Sequence, residues 1–207
     1  HLKSFTFNPF QENTYVAWDE TNEAIVIDPG CSNPSERQEL SDFITSEGLK
    51  IVKLLNTHCH IDHVLGNYFV QKTYGVSLHI HEKDIPVLKA VKTYAPNYGF
   101  PDYQEVEVGV ILKEGTHITF GNSSFEVLFV PGHTPGHIAF YNEEEKHFQD
   151  KSRIKNNRLM AVGDLADVKF YKDANYVNLI RTSIINTSTK YNFAQYQPCN
   201  AAGNWCT

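Results

Sequence analysis

Residues 57–63 read Thr-His-Cys-His-Ile-Asp-His, three imidazoles and a carboxylate within seven positions of a 207-residue chain that has ten histidines in all. An unpaired polar group taken out of water costs roughly 2–7 kcal/mol, depending on the reference state, so such a cluster needs a compensating partner. Neutral imidazole nitrogens and carboxylate oxygens form the ligand set that zinc takes, and that iron and manganese also accept. His58 and His60 stand two apart, a spacing that puts both side chains on one side of an extended segment. It is not the i, i+4 spacing of a helical HExxH zinc site. Asp62 and His63 follow at once, so four candidate ligands gather behind the apolar run IVKLLNT. A surface histidine cluster produced by composition alone is the competing explanation, and the density and order of the ligands argue against it.

Two further stations repeat the pattern of apolar strand, sharp turn and ligand. PGHTPGH at 131–137 follows SFEVLFV and would project His133 or His137 from the strand's end, and Gly163-Asp164 follows RLMAV. Ligands carried at the carboxyl ends of rigid strands are held accurately while one face stays open to substrate. The remaining histidines do not join this set. His79 and His81 alternate along VSLHIH, and His117 and His147 are expected in turns or loops. Cys59, between two ligand histidines, should point the opposite way and pack inward.

The elements that must position these residues are legible from period and punctuation. LKSFTFN, NTYVAW and EAIVIDPG predict a strand meander, bounded by Asn, Asp, Pro and Gly. Residues 34–47 place Leu40, Phe43 and Ile44 at helical spacing after a Ser-Asn-Pro start and before Gly48, which predicts a capped amphipathic helix. IVKLLNT predicts a buried strand, HVLGNYFVQKTYG a helix, VSLHIH a strand and IPVLKAVKTYA a helix. EVEVGVIL, HITFG, SFEVLFVPG and HIAFYN return to a period of two. NEEEKHFQDKSRIKNNR predicts an exposed loop, RLMAVGD a strand and NYVNLIRTSIINTS a helix. Strands and helices in this order, without strict alternation, predict an α+β sandwich of two sheets with helices outside. No repeat or linker divides the chain, so residues 1–207 are expected to form one domain.

Hydrophobic content of 41%, charged content of 20% and 13% aromatics describe an ordinary globular protein. The net charge of −6 argues against a nucleic-acid or anionic-membrane partner, since an acidic surface attracts neither polyanion. The basic residues Lys151, Arg153, Lys155 and Arg158 are expected in a solvated loop. There is no run of eighteen apolar residues, and HLKSFTFNPF lacks the features of a secretory signal. Four scattered cysteines, Cys31, Cys59, Cys199 and Cys206, do not make a disulfide framework, and predict reduced thiols in the cytoplasm. A pairing of Cys199 with Cys206 is left open, as is the oligomeric state.

IVIDPG, THCHIDHVLGN, PGHTPGH and VGD, in this order and spacing, resemble the metallo-β-lactamase superfamily, and most of all its short glyoxalase II-like hydrolases. The resemblance covers the first two-thirds of the chain. It implies a four-layer αβ/βα sandwich with a metal site at one edge, commonly binuclear. It implies that His58, His60 and His133 hold the first metal, that Asp62 and His63 hold the second, and that Asp164 bridges the two. Asp28 of IDPG matches a supporting carboxylate near the site, although a turn residue before Pro-Gly is an equal explanation. His137 matches a position that is usually not a ligand.

Residues 148–207 match the family poorly. A terminal Pro-Gly-His-Gly turn is missing, and QYQPCNAAG places Asn200 where a histidine is expected and Cys199 where a glycine is. The function implied is hydrolysis of a small thioester or ester substrate by a metal-activated water, with one or two zinc ions, or iron or manganese, and with Asp62 orienting or deprotonating that water. The alternatives are an iron-dependent persulfide dioxygenase, a lactonase or β-lactamase, and a metal-binding protein without turnover.

Overall fold

The computed structural model describes residues 1–142. β1 (Leu2–Phe7), β2 (Glu12–Trp18) and β3 (Glu23–Ile27) form the predicted antiparallel meander. Three parallel strands extend that sheet, namely β4 (Lys50–Leu55), β5 (Leu78–His81) and β6 (Val108–Leu112), giving the order β1-β2-β3-β4-β5-β6. Parallel neighbours need long crossovers. Helix α1 (Pro34–Ser46) links β3 to β4, α2 (Ile61–Val64) and α3 (Asn67–Tyr74) link β4 to β5, and α4 (Ile85–Tyr94) links β5 to β6. A second, antiparallel sheet has the order β7-β8-β9, with β7 at His117–Phe120, β8 at Ser123–Phe129 and β9 at Ile138–Tyr141.

Strand period sorts the apolar side chains into two cores. In β3, Ala24 and Val26 face one way and Ile25 and Ile27 the other. In β4, Leu54 and Leu55 divide in the same manner. The first face packs Leu40 and Ile44 of α1, Val70 of α3, and Leu88 and Val91 of α4. The opposite face packs Ile118, Phe120, Phe125, Val127 and Phe140 of the second sheet. The described residues thus stack helices, mixed sheet and antiparallel sheet, as expected for an α+β sandwich. The expected helix NYVNLIRTSIINTS and the expected strand RLMAVGD lie outside the described residues. Among the described residues no helix is long and apolar enough to cross a membrane.

Three expectations are corrected. The helix expected over HVLGNYFVQKTYG is two helices, broken at Gly66. The backbone there runs against the Asp28-Pro29 turn: Gly66 N donates to Pro29 O at 2.7 Å, and a Cβ would stand 2.5 Å from Cys31 Sγ. The strand expected from Glu105 begins at Val108, where pairing with Leu78 starts. His117 is the first residue of β7, paired with Glu126, rather than part of a turn.

Candidate metal centre

β4 ends at Leu55, and the next residues leave the sheet toward the seam between the two layers. Asn56, Thr57, His58 and Cys59 are buried there. His60 remains extended (φ −68°, ψ 157°) and α2 begins immediately after it, carrying Asp62 and His63. The other side of the seam is the 130–137 loop between β8 and β9. Its end is stitched to the histidine segment by Ile138 N, which donates to Thr57 O at 2.9 Å.

These two loops bring His58, His60 and His133 together, with one ring nitrogen of each within 4.8 Å of the others. His60 Nδ1 lies 2.9 Å from His133 Nε2. The His58 ring stands edge-on to both, at centroid distances of 5.0 Å from His60 and 4.8 Å from His133. His58 is buried, with Nδ1 3.1 Å from Thr57 Oγ1. Its Nε2 is buried with no hydrogen-bond partner among the described residues. A polar atom in that state is normally satisfied by something, and a cation would satisfy it here. Burial, and then the neighbouring His63, His137, His133 and His60, push His58 well below the usual histidine range. Burial and then His133 lower His60 as well. Both are therefore neutral at pH 7, the form of imidazole that ligates metals. Zn–N bonds of about 2.0–2.1 Å in a tetrahedral site set ligand nitrogens roughly 3.3 Å apart, inside the 4.8 Å that bounds the three nitrogens here. The three residues fit a divalent ion.

Asp62 and His63 pair with each other beside this triad rather than joining it. His63 Nε2 is 3.3 Å from Asp62 Oδ2, and His63 Nδ1 is 3.3 Å from Asp28 Oδ2 and 3.8 Å from Glu12 Oε1. Burial works against a charged His63, but Asp28 and Asp62 outweigh it and raise His63 well above the usual range. Burial likewise works to raise Asp62, and the hydrogen bond and charge of His63 reverse this, holding the carboxyl below its ordinary value. Asp62 and His63 thus favour each other's charged forms in this arrangement.

Asp28 is both of the things expected of it. It turns the chain at φ 50°, and its fully buried carboxylate accepts from Thr57 N at 2.7 Å, Thr57 Oγ1 at 2.6 Å and Asn56 Nδ2 at 3.2 Å. His137 is a fourth imidazole of the seam, its ring centroid 4.8 Å from that of His58, with neither ring nitrogen hydrogen-bonded among the described residues. Burial and then His133 bring it down to about 4. Cys59 is buried outside the triad, and burial followed by Asp84 and Asp28 pushes its thiol well above the usual range. His81 stacks on Phe129, and His79 Nδ1 faces the carbonyls of Ser77 and Leu54, so both stay outside the centre. Asp164, Cys199, Asn200 and Cys206 lie outside the described residues.

Glu12, Asn56 and Asp84 are not singled out by the sequence, yet each contacts the centre. Glu12 was within reach of strand period, since it shares the inward face of β2 with Thr14 and Val16, where a carboxylate is out of place. Asn56, held between Asp28, His63 O and Asn67, reads in sequence only as the end of an apolar run.

The metallo-beta-lactamase superfamily model matches residues 7–147. Among curated relatives, the hydroxyacylglutathione hydrolase GloC of Haemophilus influenzae is 33% identical over 139 residues, covering 66% of this chain and 64% of that protein. A hydroxyacylglutathione hydrolase of Bdellovibrio bacteriovorus is 33% identical over 142 residues, 67% of this chain and 47% of its own length. The match thus spans about half to two thirds of these relatives. Among solved structures, the BLEG-1 B3 metallo-beta-lactamase aligns at a TM-score of 0.61 and 27% identity, over 70% of this chain and 68% of that one. TTHA1623 in a di-iron-bound form aligns at 0.58 and 32%, over 69% and 67%. With the matched region enclosing both histidine loops and the strands that carry them, this chain belongs to the metallo-beta-lactamase superfamily.

Proposed function

We propose that this protein is a metal-dependent hydrolase of a small thioester or ester, similar in reaction to the hydroxyacylglutathione hydrolases it resembles. His58, His60 and His133 would hold the first ion, Asp62 and His63 the second, and Asp164 would serve both. The observation that carries this is the buried, unbonded Nε2 of His58 facing two further imidazoles. Zinc is the ion that a set of neutral imidazoles and carboxylates suits best. A divalent ion bound there supplies Lewis-acid activation of water and of a carbonyl oxygen. Asp62, kept ionised beside His63, accepts the proton of the attacking water at a carboxylate oxygen and returns it to the leaving group. His63, with Nδ1 3.3 Å from Asp28 Oδ2 and Nε2 3.3 Å from Asp62 Oδ2, would orient the Asp62 carboxylate. Buried neutral histidines and the acidic net charge support a small-molecule substrate over a polyanion. The unpaired Cys31 and Cys59 support a reducing, cytoplasmic setting, and the reading treats residues 1–207 as one domain.

The test is turnover of zinc-loaded protein on glutathione thioesters, other thioesters, lactones and β-lactams, with bound metal counted in the same preparation. Preference for thioesters supports the proposal, and stoichiometric metal without hydrolysis of any substrate defeats it. The di-iron form of TTHA1623 supports a second reading, in which iron is the resident metal. Oxygen consumption on persulfides by iron-loaded protein, with no thioester hydrolysis, would select the dioxygenase alternative.

A further inference from the structure

We infer that Asp84 is a positioning residue that clamps the two histidine loops to each other and so presets His58, His60 and His133 for metal. The inference rests on the metal centre proposed above but not on its substrate. Asp84 occupies the N-cap position of α4, where an aspartate ordinarily accepts from an N–H of its own helix. Its side chain makes no such bond. It is 1% exposed, and the carboxylate turns away to reach both loops: Oδ2 accepts from Cys59 N at 2.7 Å, and Oδ1 accepts from Gly136 N at 2.8 Å. Cys59 is the residue between His58 and His60, and Gly136 lies three residues beyond His133. One carboxylate therefore spans the seam that the metal must also span.

The chemistry of the clamp is narrow. Among the described residues no lysine or arginine pairs with Asp84, so the two charge-assisted N–H bonds are what compensate its burial. Only a carboxylate offers an acceptor at each end of so short a side chain. An asparagine would keep one bond and turn its NH₂ against the other N–H, donor to donor. The second loop is fitted to the same group: a Cβ on Gly136 would stand 2.5 Å from Asp84 N and 2.7 Å from Asp84 Oδ1. Glycine at 136 is what lets that loop lie against the start of α4.

The experiment compares Asp84→Asn and Gly136→Ala with the wild-type protein, each stripped of metal and titrated with Zn²⁺ against a chromophoric chelator. Co²⁺ titrations followed by visible absorption report the ligand geometry. Thermal midpoints of the metal-free forms are measured separately. Groups that orient metal ligands typically change affinity by about 10–100-fold, and a loss of that size is expected in both variants, with an altered Co²⁺ spectrum. A residue with only a structural role would lower the metal-free midpoint and leave the affinity of the folded protein alone, which overturns the inference. Failure of both variants to fold assigns Asp84 to folding and overturns it as well. Gly136→Ala keeps the carboxylate, so it remains informative where Asp84→Asn does not fold. Wild-type protein that binds neither Zn²⁺ nor Co²⁺ overturns the metal centre itself, which separates the two failures.

Discussion

At the scale of single residues, the centre works by opposing two electrostatic environments a few ångströms apart. His58 is buried among imidazoles and is neutral, whereas His63, whose ring centroid is 4.0 Å from that of His58, is buried between carboxylates and favours its charged form. The difference comes from Asp28 and Asp62, not from depth. Asp62 is accordingly held ionised and close to the triad. Asp62→Asn preserves volume and removes the negative charge. It is expected to leave the fold and the triad's metal intact while lowering kcat by about 10²–10⁴, the usual contribution of a general base. Steady-state kinetics with metal analysis checks this, and wild-type turnover in the variant would remove Asp62 from the mechanism. The ligand types were legible in THCHIDH and PGHTPGH. Which nitrogen is left unbonded, and which histidine is clasped by carboxylates, was not, because Asp28 and Glu12 reach the site from other strands.

At the scale of elements, the connections matter more than the strands. The break at Gly66 separates α2, which carries Asp62 and His63, from α3, which packs Val70 into the helix-facing core. Gly66→Ala forces a methyl group against Cys31 Sγ and Pro29 O, the latter 2.7 Å from the ideal Cβ. Overpacking of this kind should cost about 1–3 kcal/mol in chemical denaturation. Unchanged stability would mean that the α2–α3 junction can shift to admit the methyl group.

A second connection joins the two sheets through Asp19. The Asp19 carboxylate accepts from Thr21 in its own turn, and from Asn122 N at 2.6 Å and Ser123 N at 3.0 Å in the β7–β8 turn. Burial works to raise its pKa, and these hydrogen bonds outweigh it and bring the carboxyl below its ordinary value. A depressed folded-state pKa gives stability that is present above the unfolded value and lost as pH falls through the folded one. Asp19→Asn should therefore lower the urea midpoint at neutral pH, and the gap should begin to narrow as pH drops toward about 4, the unfolded aspartate value. A gap independent of pH would deny the carboxylate this role.

At the scale of the whole molecule, the triad sits across the two-sheet seam. His58 and His60 come from the loop after β4 in the larger sheet, and His133 from the loop after β8 in the smaller one. An ion held by all three would crosslink the layers and would bind only when they are docked. Ligands specific to the folded state stabilise it by about 2.7 kcal/mol at one hundred times their dissociation constant. Dialysis against a chelator should therefore lower the thermal midpoint, and added zinc should restore it. An unresponsive midpoint would place the ion, if bound at all, on one layer alone.

The sequence by itself determined the ligand vocabulary, the strand and helix periods and the two-sheet class, because each of these depends on residues a few positions apart. EAIVI, predicted only as a strand, proved to be buried on both faces. Tertiary structure decided what depends on distant segments meeting. It gathered His58, His60 and His133 from two loops, gave His63 its carboxylate neighbours, and turned Asp84 from a helix cap into a bridge between two loops. Those outcomes follow from which backbone N–H groups and charges lie within about 3 Å of a buried side chain, a matter that spacing along the chain does not encode.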